Sequence, residues 1–308
     1  MIESGSHTPG IDPAWFRLHP ATAMRWERPH PSLEGLIGDY FAFDSEGPEM
    51  MGAVSWILPS WPAIRFVLAD NPITVIGPGI CWSPLPEAGF YGSTSKVLRH
   101  TSFGGVTIGV NLTPAGVARL SGIDLSAYRD RMVPLGDILP ESPDALVEEL
   151  RASDQGPGVK AILDRFFMRL MDKPHRDEPR IMKLNRLLLD ENVQTVRELG
   201  EALDMPPHQL RRLSLRRFGF PPKLLLTRTR FLRSLMALKM RGAENYDAID
   251  EYYTDVSHFL RDSERFLGMT ARRFLRLDMP FLDAVLRARQ MVLDTATPAL
   301  GPAVYRKR

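Results

Sequence analysis

The chain has 308 residues, 44% hydrophobic and 25% charged, with a formal net charge of +2, the balance of a globular protein of about two domains. No apolar run reaches the ~18–20 residues a membrane-spanning helix needs, so no membrane partner is expected, and Met1–Trp15 lacks the basic start and apolar core of a secretory signal. The single cysteine, Cys81, excludes an intrachain disulfide and suits a cytoplasmic location.

Charge is unevenly spread. Residues 1–179 hold 15 Lys+Arg and 22 Asp+Glu, a balance of −7; residues 180–276 hold 19 and 12, a balance of +7; residues 277–308 hold 5 and 3. An acidic half joined to a basic half points to two jobs, one of them compatible with polyanion binding.

In chain order, the first half reads as short strands. Trp56–Pro59 and Ile64–Leu68 are rich in branched and aromatic residues, and turn signals at Asp70-Asn71-Pro72 and Gly77-Pro78-Gly79 punctuate them. Gly105–Leu112 alternates as a half-buried strand. Thr113 then caps a short helix, Pro114–Leu120, with proline at its first position. Many short strands with turns predict a barrel or sandwich. Asp144–Arg151 and Val159–Met171 read as helices. Residues 173–179, with two prolines and no apolar anchor, read as an interdomain linker. From Arg180 to Leu277 nearly everything reads as helix. Phe281–Leu293 is one more amphipathic helix, with Leu282, Val285, Leu286 and Arg289 spaced at three and four, and the tail after Thr295 reads as loose. The expected division is 1–172, a β-rich domain; 173–179, the linker; 180–277, a helical domain; and 278–308, a terminal helix and tail.

The most informative run is Val196–Leu213. Val196, Leu199 and Leu203 share one helical face, and a turn follows at Asp204–Pro206. Pro207 suits the first position of a new helix, in which Leu210 and Leu213 point inward. His208, Arg211 and Arg212 then point outward, with Gln209 beside them. Two short helices and a tight turn, the second helix showing His and Arg, is the build of a helix-turn-helix whose recognition helix enters the DNA major groove. A plain helical hairpin with a solvated basic face is the other reading of this stretch alone.

Two further runs bear on that choice: Gly219-Phe220-Pro221-Pro222-Lys223 followed by Thr229–Leu235, and Tyr253-Thr254-Asp255-Val256-Ser257-His258-Phe259-Leu260-Arg261 followed by Arg265-Phe266-Leu267-Gly268-Met269-Thr270. With the first hairpin, these motifs span residues 193–276 and resemble the AraC/XylS-type bacterial transcription regulators. The resemblance implies two helix-turn-helix units joined by a long helix. DNA contacts are expected from His208, Gln209, Arg211 and Arg212 in the first unit and from Val256, Ser257, Leu260 and Arg261 in the second. Upstream, Trp26–Phe43, Trp56–Leu68 and Gly109–Gly116 resemble the cupin-like β-barrel sensor domains of such regulators. The fold class is thus α+β, a barrel-like β domain before an all-α DNA-binding domain. The implied partners are double-stranded DNA, a small-molecule effector, a second copy of the chain, and RNA polymerase if the protein activates. Arg65, Phe66, Trp56, Trp61 and Trp82 are the expected effector-pocket residues, a small set of aromatics about one placed charge. The competing expectation is a barrel filled by its own side chains.

The departures from the family pattern are specific. Gly200 replaces a small alanine, at a helix cost of ~1 kcal/mol. Pro206 replaces a capping serine, and Ser214 an aromatic core residue. Tyr252 replaces a glycine that ends a helix in a left-handed turn, which predicts strain. Asp247 falls where an apolar residue is expected, with Ile249 positioned to compensate.

An enzyme is disfavoured. The seven histidines show no metal-site spacing, and no nucleophile elbow, P-loop or dinucleotide fingerprint appears. Cys81 with His100 reads as a half-buried thiol and a bystander rather than a nucleophile pair. No catalytic residue, metal or cofactor is assigned. A co-regulator with a degenerate DNA-binding domain, acting through protein contacts, is the alternative function.

Overall fold

The computed structural model describes residues 1–16, 20–69, 74–77 and 80–294. The turn at Asp70–Pro72, Pro78-Gly79 and the tail after Asp294 lie outside the described residues. The β region comprises strands β1 (Thr22–Glu27), β2 (Ile37–Ser45), β3 (Val54–Ile57), β4 (Ala63–Val67), β5 (Thr74–Gly77), β6 (Ile80–Trp82), β7 (Ala88–Tyr91), β8 (Leu98–Thr101), β9 (Gly105–Leu112) and β10 (Met132–Pro134). They form two antiparallel sheets, one ordered β1-β2-β9-β4-β7-β10 and the other β3-β8-β5-β6. β9, expected to be half-buried, is buried at every position but its first, because it is central, paired to β2 on one side and β4 on the other.

The period of two along these strands sorts the side chains between two environments. Tyr40, Ala42, Ile64, Phe66, Ile108 and Val110 join one continuous apolar core. Phe41, Phe43, Ala63, Arg65, Thr107 and Asn111 face a space between the sheets. Phe41 is paired with Gly109, and a Cβ on Gly109 would stand 2.0 Å from the Phe41 ring. Glycine is therefore what lets that ring lie across the sheet.

The helices follow as α1 (Pro114–Leu120), α2 (Asp144–Ala152), α3 (Val159–Leu170), α4 (Glu178–Leu189), α5 (Val196–Leu203), α6 (Pro207–Phe218), α7 (Pro222–Arg241), α8 (Val256–Leu267), α9 (Ala271–Leu275) and α10 (Pro280–Leu293). Thr113 caps α1 through the amide of Gly116. α3 is tied to the β region through Asp164, which accepts from Tyr40 Oη at 3.1 Å and from the His30 amide at 2.7 Å. Among the described residues, no helix is long and apolar enough to cross a membrane.

The helical region does not hang from a free tether. The core that holds Phe66 and Ile108 also holds Leu199, Leu210, Phe218 and Leu225. Arg119 of α1 grips the buried Glu178 bidentately, with Nε at 2.8 Å. Arg217 of α6, 2% exposed, donates to the Gly122 carbonyl and to Asp177, both at 3.0 Å. Arg228 of α7 donates to the carbonyls of Ser60 and Thr94 and lies 4.1 Å over the Trp61 ring. The stretch 173–179, expected as a linker, thus supplies His175, Asp177 and Glu178 to the contact between the two regions.

At the far end, α10 returns to the β region. Ala284, Ala288, Val292 and Leu293 pack on Phe16, Met24, Trp26 and Phe41. Arg289, 1% exposed, forms an ion pair with the wholly buried Asp39 of β2, whose other carboxylate oxygen accepts from Asn111 Nδ2 at 2.6 Å. Arg289→Met leaves Asp39 charged and buried with Asn111 alone, and is expected to cost about 3–5 kcal/mol in urea unfolding. Adding Asp39→Asn removes the orphaned charge, so the double variant should recover most of that loss; a fully additive double variant would contradict the pairing.

Candidate nucleic-acid interface and interior cavity

Helix α5 starts on a reciprocal capping box: the Thr195 hydroxyl accepts from the Glu198 amide, and Glu198 accepts from the Thr195 amide at 3.0 Å. It ends on Asp204 in the left-handed region (φ 51°), and α6 begins three residues later with Pro207 at its first turn. Gly200 sits under that turn. A Cβ there would stand 3.1 Å from the Met205 carbonyl, a physical reason for the glycine. Pro206 gives α6 no side-chain cap. Ser214, where an aromatic was expected, is buried and donates its hydroxyl to the Phe220 carbonyl at 2.6 Å.

His208, Gln209, Arg211 and Arg212 are all exposed on α6, opposite the buried Leu210 and Phe218. Among the described residues, neither Arg211 nor Arg212 has an ion-pair partner. They border a groove of about 680 Å³ between α6, the start of α4 and the turn at Asp124–Ser126, to which Arg176, Arg180 and Arg216 also contribute. Sequence reading missed these last three. Arg176 and Arg180 are remote from the motif, and only the docking of α4 against α6 brings them alongside it.

The second unit is built differently. Its expected first helix is a single 3-10 turn, Tyr246–Ala248, in the stretch between α7 and α8. This segment is fastened to α7 through Asp250, which accepts from Arg233 at 3.1 Å and donates its amide to Ser234. Ile249 and Tyr246 pack on the core while Asp247 is exposed, so the compensating shift is present. The strain expected at Tyr252 is absent: it is not among the positive-φ residues, and Arg230 stacks 3.5 Å over its ring.

Helix α8 is capped by Asp255, and its Phe259 and Phe266 sandwich Phe231 of α7 at 5.6 and 5.1 Å. Val256, Ser257 and Arg261 are exposed, but Leu260 leans on the core, and the Arg261 guanidinium donates to the Ser257 carbonyl at 3.3 Å. Of the four residues expected to meet DNA, the second helix therefore offers one guanidinium, Arg261, with Arg265 exposed one turn further on. His258 packs its ring on Tyr253.

The space between the sheets is a cavity of about 140 Å³. Of the five residues expected at an effector pocket, Trp56, Trp61 and Arg65 line this space. Two expected residues do not. Phe66 points to the opposite face of β4 and is wholly buried in the core, since neighbours on a strand face opposite ways. Trp82 packs at the outer cluster with Leu85 and Tyr91. Sequence reading missed that Phe281, Leu282, Val285, Leu286 and Arg289 of α10 close one side. Cys81 is exposed and is not among the lining residues, whereas His100 is.

Arg65 is the unusual group. Its guanidinium lies 5.3 Å from the Phe41 ring and 5.1 Å from the Tyr91 ring. Among the described residues it has no carboxylate partner, and its Nε is buried without a hydrogen bond. Burial lowers its pKa and raises that of Tyr91, although an arginine remains a cation at neutral pH. Among the described residues, no cluster of His, Cys, Asp and Glu could hold a metal ion.

No protein-family model matches the chain, and no curated protein matches it. Among solved structures, ToxT from Vibrio cholerae O395 overlaps with a TM-score of 0.39 at 12% identity, covering 73% of this chain and 93% of that one. The same protein bound to (E)-4-(8-methylnaphthalen-1-yl)but-3-enoic acid gives 0.39 at 13%, covering 73% and 94%. Unsaturated-fatty-acid-bound ToxT from strain SCE256 gives 0.40 at 10%, covering 84% and 96%. Overlap of this extent leaves the function to be argued from the chain's own residues.

Burial, with Arg65 adding repulsion, pushes the His100 imidazole down to about 3. An unfolded histidine titrates near 6.5, so between these values the unfolded chain takes up a proton that the folded chain refuses. Stability is then fully present above about pH 6.5 and falls on acidification, with a slope from this group of up to about 1.4 kcal/mol per pH unit. His100→Gln should flatten the dependence of the urea midpoint over pH 4–6.5; an unchanged slope would show that His100 is not held neutral.

Proposed function

We propose that the protein is an effector-responsive, sequence-specific DNA-binding transcription regulator of the AraC type. The observation that carries this reading is the outer face of α6. A short helix entered from a tight turn presents His208, Gln209, Arg211 and Arg212 together, held from behind by Leu210 and Phe218. Arginine can bond bidentately to guanine in the major groove. Arg176, Arg180 and Arg216 along the adjoining groove are placed to hold phosphates, which position a protein without reading sequence. The 20-residue α7 joins the two units, and α8 stacks on it at Phe231. The cavity lined by Arg65, Trp56 and Trp61 is the effector site of this reading.

The two units divide the work. α6 reads bases, and α8, with Arg261 beside Val256 and Ser257, chiefly holds the backbone. In fluorescence anisotropy on a selected operator, Arg211→Ala or Arg212→Ala should cost about 1–3 kcal/mol of specific binding with helix content kept. Arg180→Ala should weaken all sequences alike and reduce the salt slope by about 1. If both α6 variants bind the operator like the parent, the base-reading role fails. If the parent shows no preference for any sequence, the protein is a co-regulator acting through protein contacts.

A further inference from the structure

The cavity holds a charge that the fold does not need. Every wholly buried arginine in this part of the molecule has oxygen partners. Arg289 has Asp39, Arg228 has the Ser60 and Thr94 carbonyls, and Arg217 has Asp177 with the Gly122 carbonyl. Arg65 has two ring faces and the cavity. The surface it retains lies among the cavity's walls. A half-buried cation with no hydrogen-bonded partner is desolvated without compensation, and this one stands where a ligand would stand.

Among the described residues, the rest of the cavity lining supplies no compensating negative charge. Asp39 is taken up by Arg289 and Asn111. His100 is held neutral by burial, and Tyr91 is held in its phenol form. The remaining walls are uncharged, among them Trp56, Trp61, Phe41, Leu98, Thr107 and Asn111. A space of about 140 Å³ is the size of an engineered cavity of ~150 Å³ that admits benzene. One small ring or a short chain fits as the structure stands.

We propose that this cavity binds a small organic anion, its acidic group on the Arg65 guanidinium and its apolar body against Trp56 and Trp61, with α10 as the lid. A carboxylate accepts a forked pair of N–H bonds from a guanidinium, which fits a group left with donors and no acceptor. The lid is α10 because it alone among the lining elements comes from beyond the helix-turn-helix units. It is latched on the β region by Arg289 and on α7 by Lys239–Asp283 at 2.6 Å. Trp56 also touches Phe274 of α9 at 5.8 Å. Ligand on Arg65 therefore bears directly on helices that continue from α8. This last consequence rests on the regulator reading; binding itself does not.

The test uses the full chain without DNA, so its failure leaves the DNA reading untouched. Benzoate, hexanoate and their neutral amides are titrated by calorimetry and by quenching of tryptophan fluorescence. The carboxylates are expected to bind at least ~10-fold more tightly than the amides, as a charge-assisted hydrogen bond implies. Arg65→Met should erase that preference without lowering Tm, because the arginine serves the ligand and not the fold. Val285→Trp, which fills the space from the lid side, should abolish binding of both classes. Hydrogen exchange in residues 280–294 should slow on ligand binding. Equal binding of acids and amides, no binding of either acid, or an Arg65→Met chain that binds the acids like the parent would overturn the site. A lowered Tm in Arg65→Met would show a structural arginine instead, and unchanged exchange in α10 would overturn the lid.

Discussion

The ion pair between Asp39 and Arg289 is the constraint on which the far side of the molecule depends. Both groups are out of water, and their attraction offsets the desolvation of each only because the geometry is close and Asn111 satisfies the other carboxylate oxygen. The pair joins residues 250 positions apart. It brings the last helix against the six-stranded sheet and so walls one side of the space between the two sheets. A pair of apolar residues could have filled the same volume at less cost in desolvation. What the charges add is a fixed point for register: with Arg289 on Asp39, the Ala284 and Ala288 face of α10 packs on Trp26 and Phe41.

The near side is fixed by a different device. Arg217 and Arg228 leave the helical region to donate to carbonyls of the β region, while a single apolar core runs beneath both. The first helix-turn-helix is thus part of the β region's own packing rather than a separate bead. Its basic face is carried rigidly with respect to the cavity wall. The second unit is held at its back by aromatic stacking on Phe231 and at its front by Trp56 and Val97 of the β region. A change at the cavity therefore has two routes to the second unit, Trp56 to Phe274 and α10 to α7, and a stiff core between it and the first.

Much of this was legible in the sequence where local rules are strong. Thr113–Pro114, the turn at Asp204–Pro206 with Pro207 behind it, and the apolar face of Phe281–Leu293 each announced a helix, and each helix is there. The outer face of α6 followed from spacing alone. Two kinds of feature were out of reach. The first is which face of a strand meets a cavity: Arg65 and Phe66 are neighbours in sequence, and the pleat separates them. The second is contact between distant segments: Arg176 and Arg180 beside α6, and Arg289 on Asp39, depend on docking that periodicity does not encode. The stretch 242–255 misled for a third reason. Its residues have helical spacing, yet Asp250 and the packing of Tyr246 and Ile249 hold it as a 3-10 turn and loop, a tertiary override of local preference.

The central claim is that α6 reads a DNA sequence and α8 mainly holds the duplex. The most direct test is selection of bound duplexes from a random-sequence pool by the intact chain at physiological salt. The account predicts one enriched motif with two segments about one helical turn, ~10 base pairs, apart, strongly specified in one segment and nearly unspecified in the other. No enrichment over the starting pool, or equal discrimination in both segments, would contradict it.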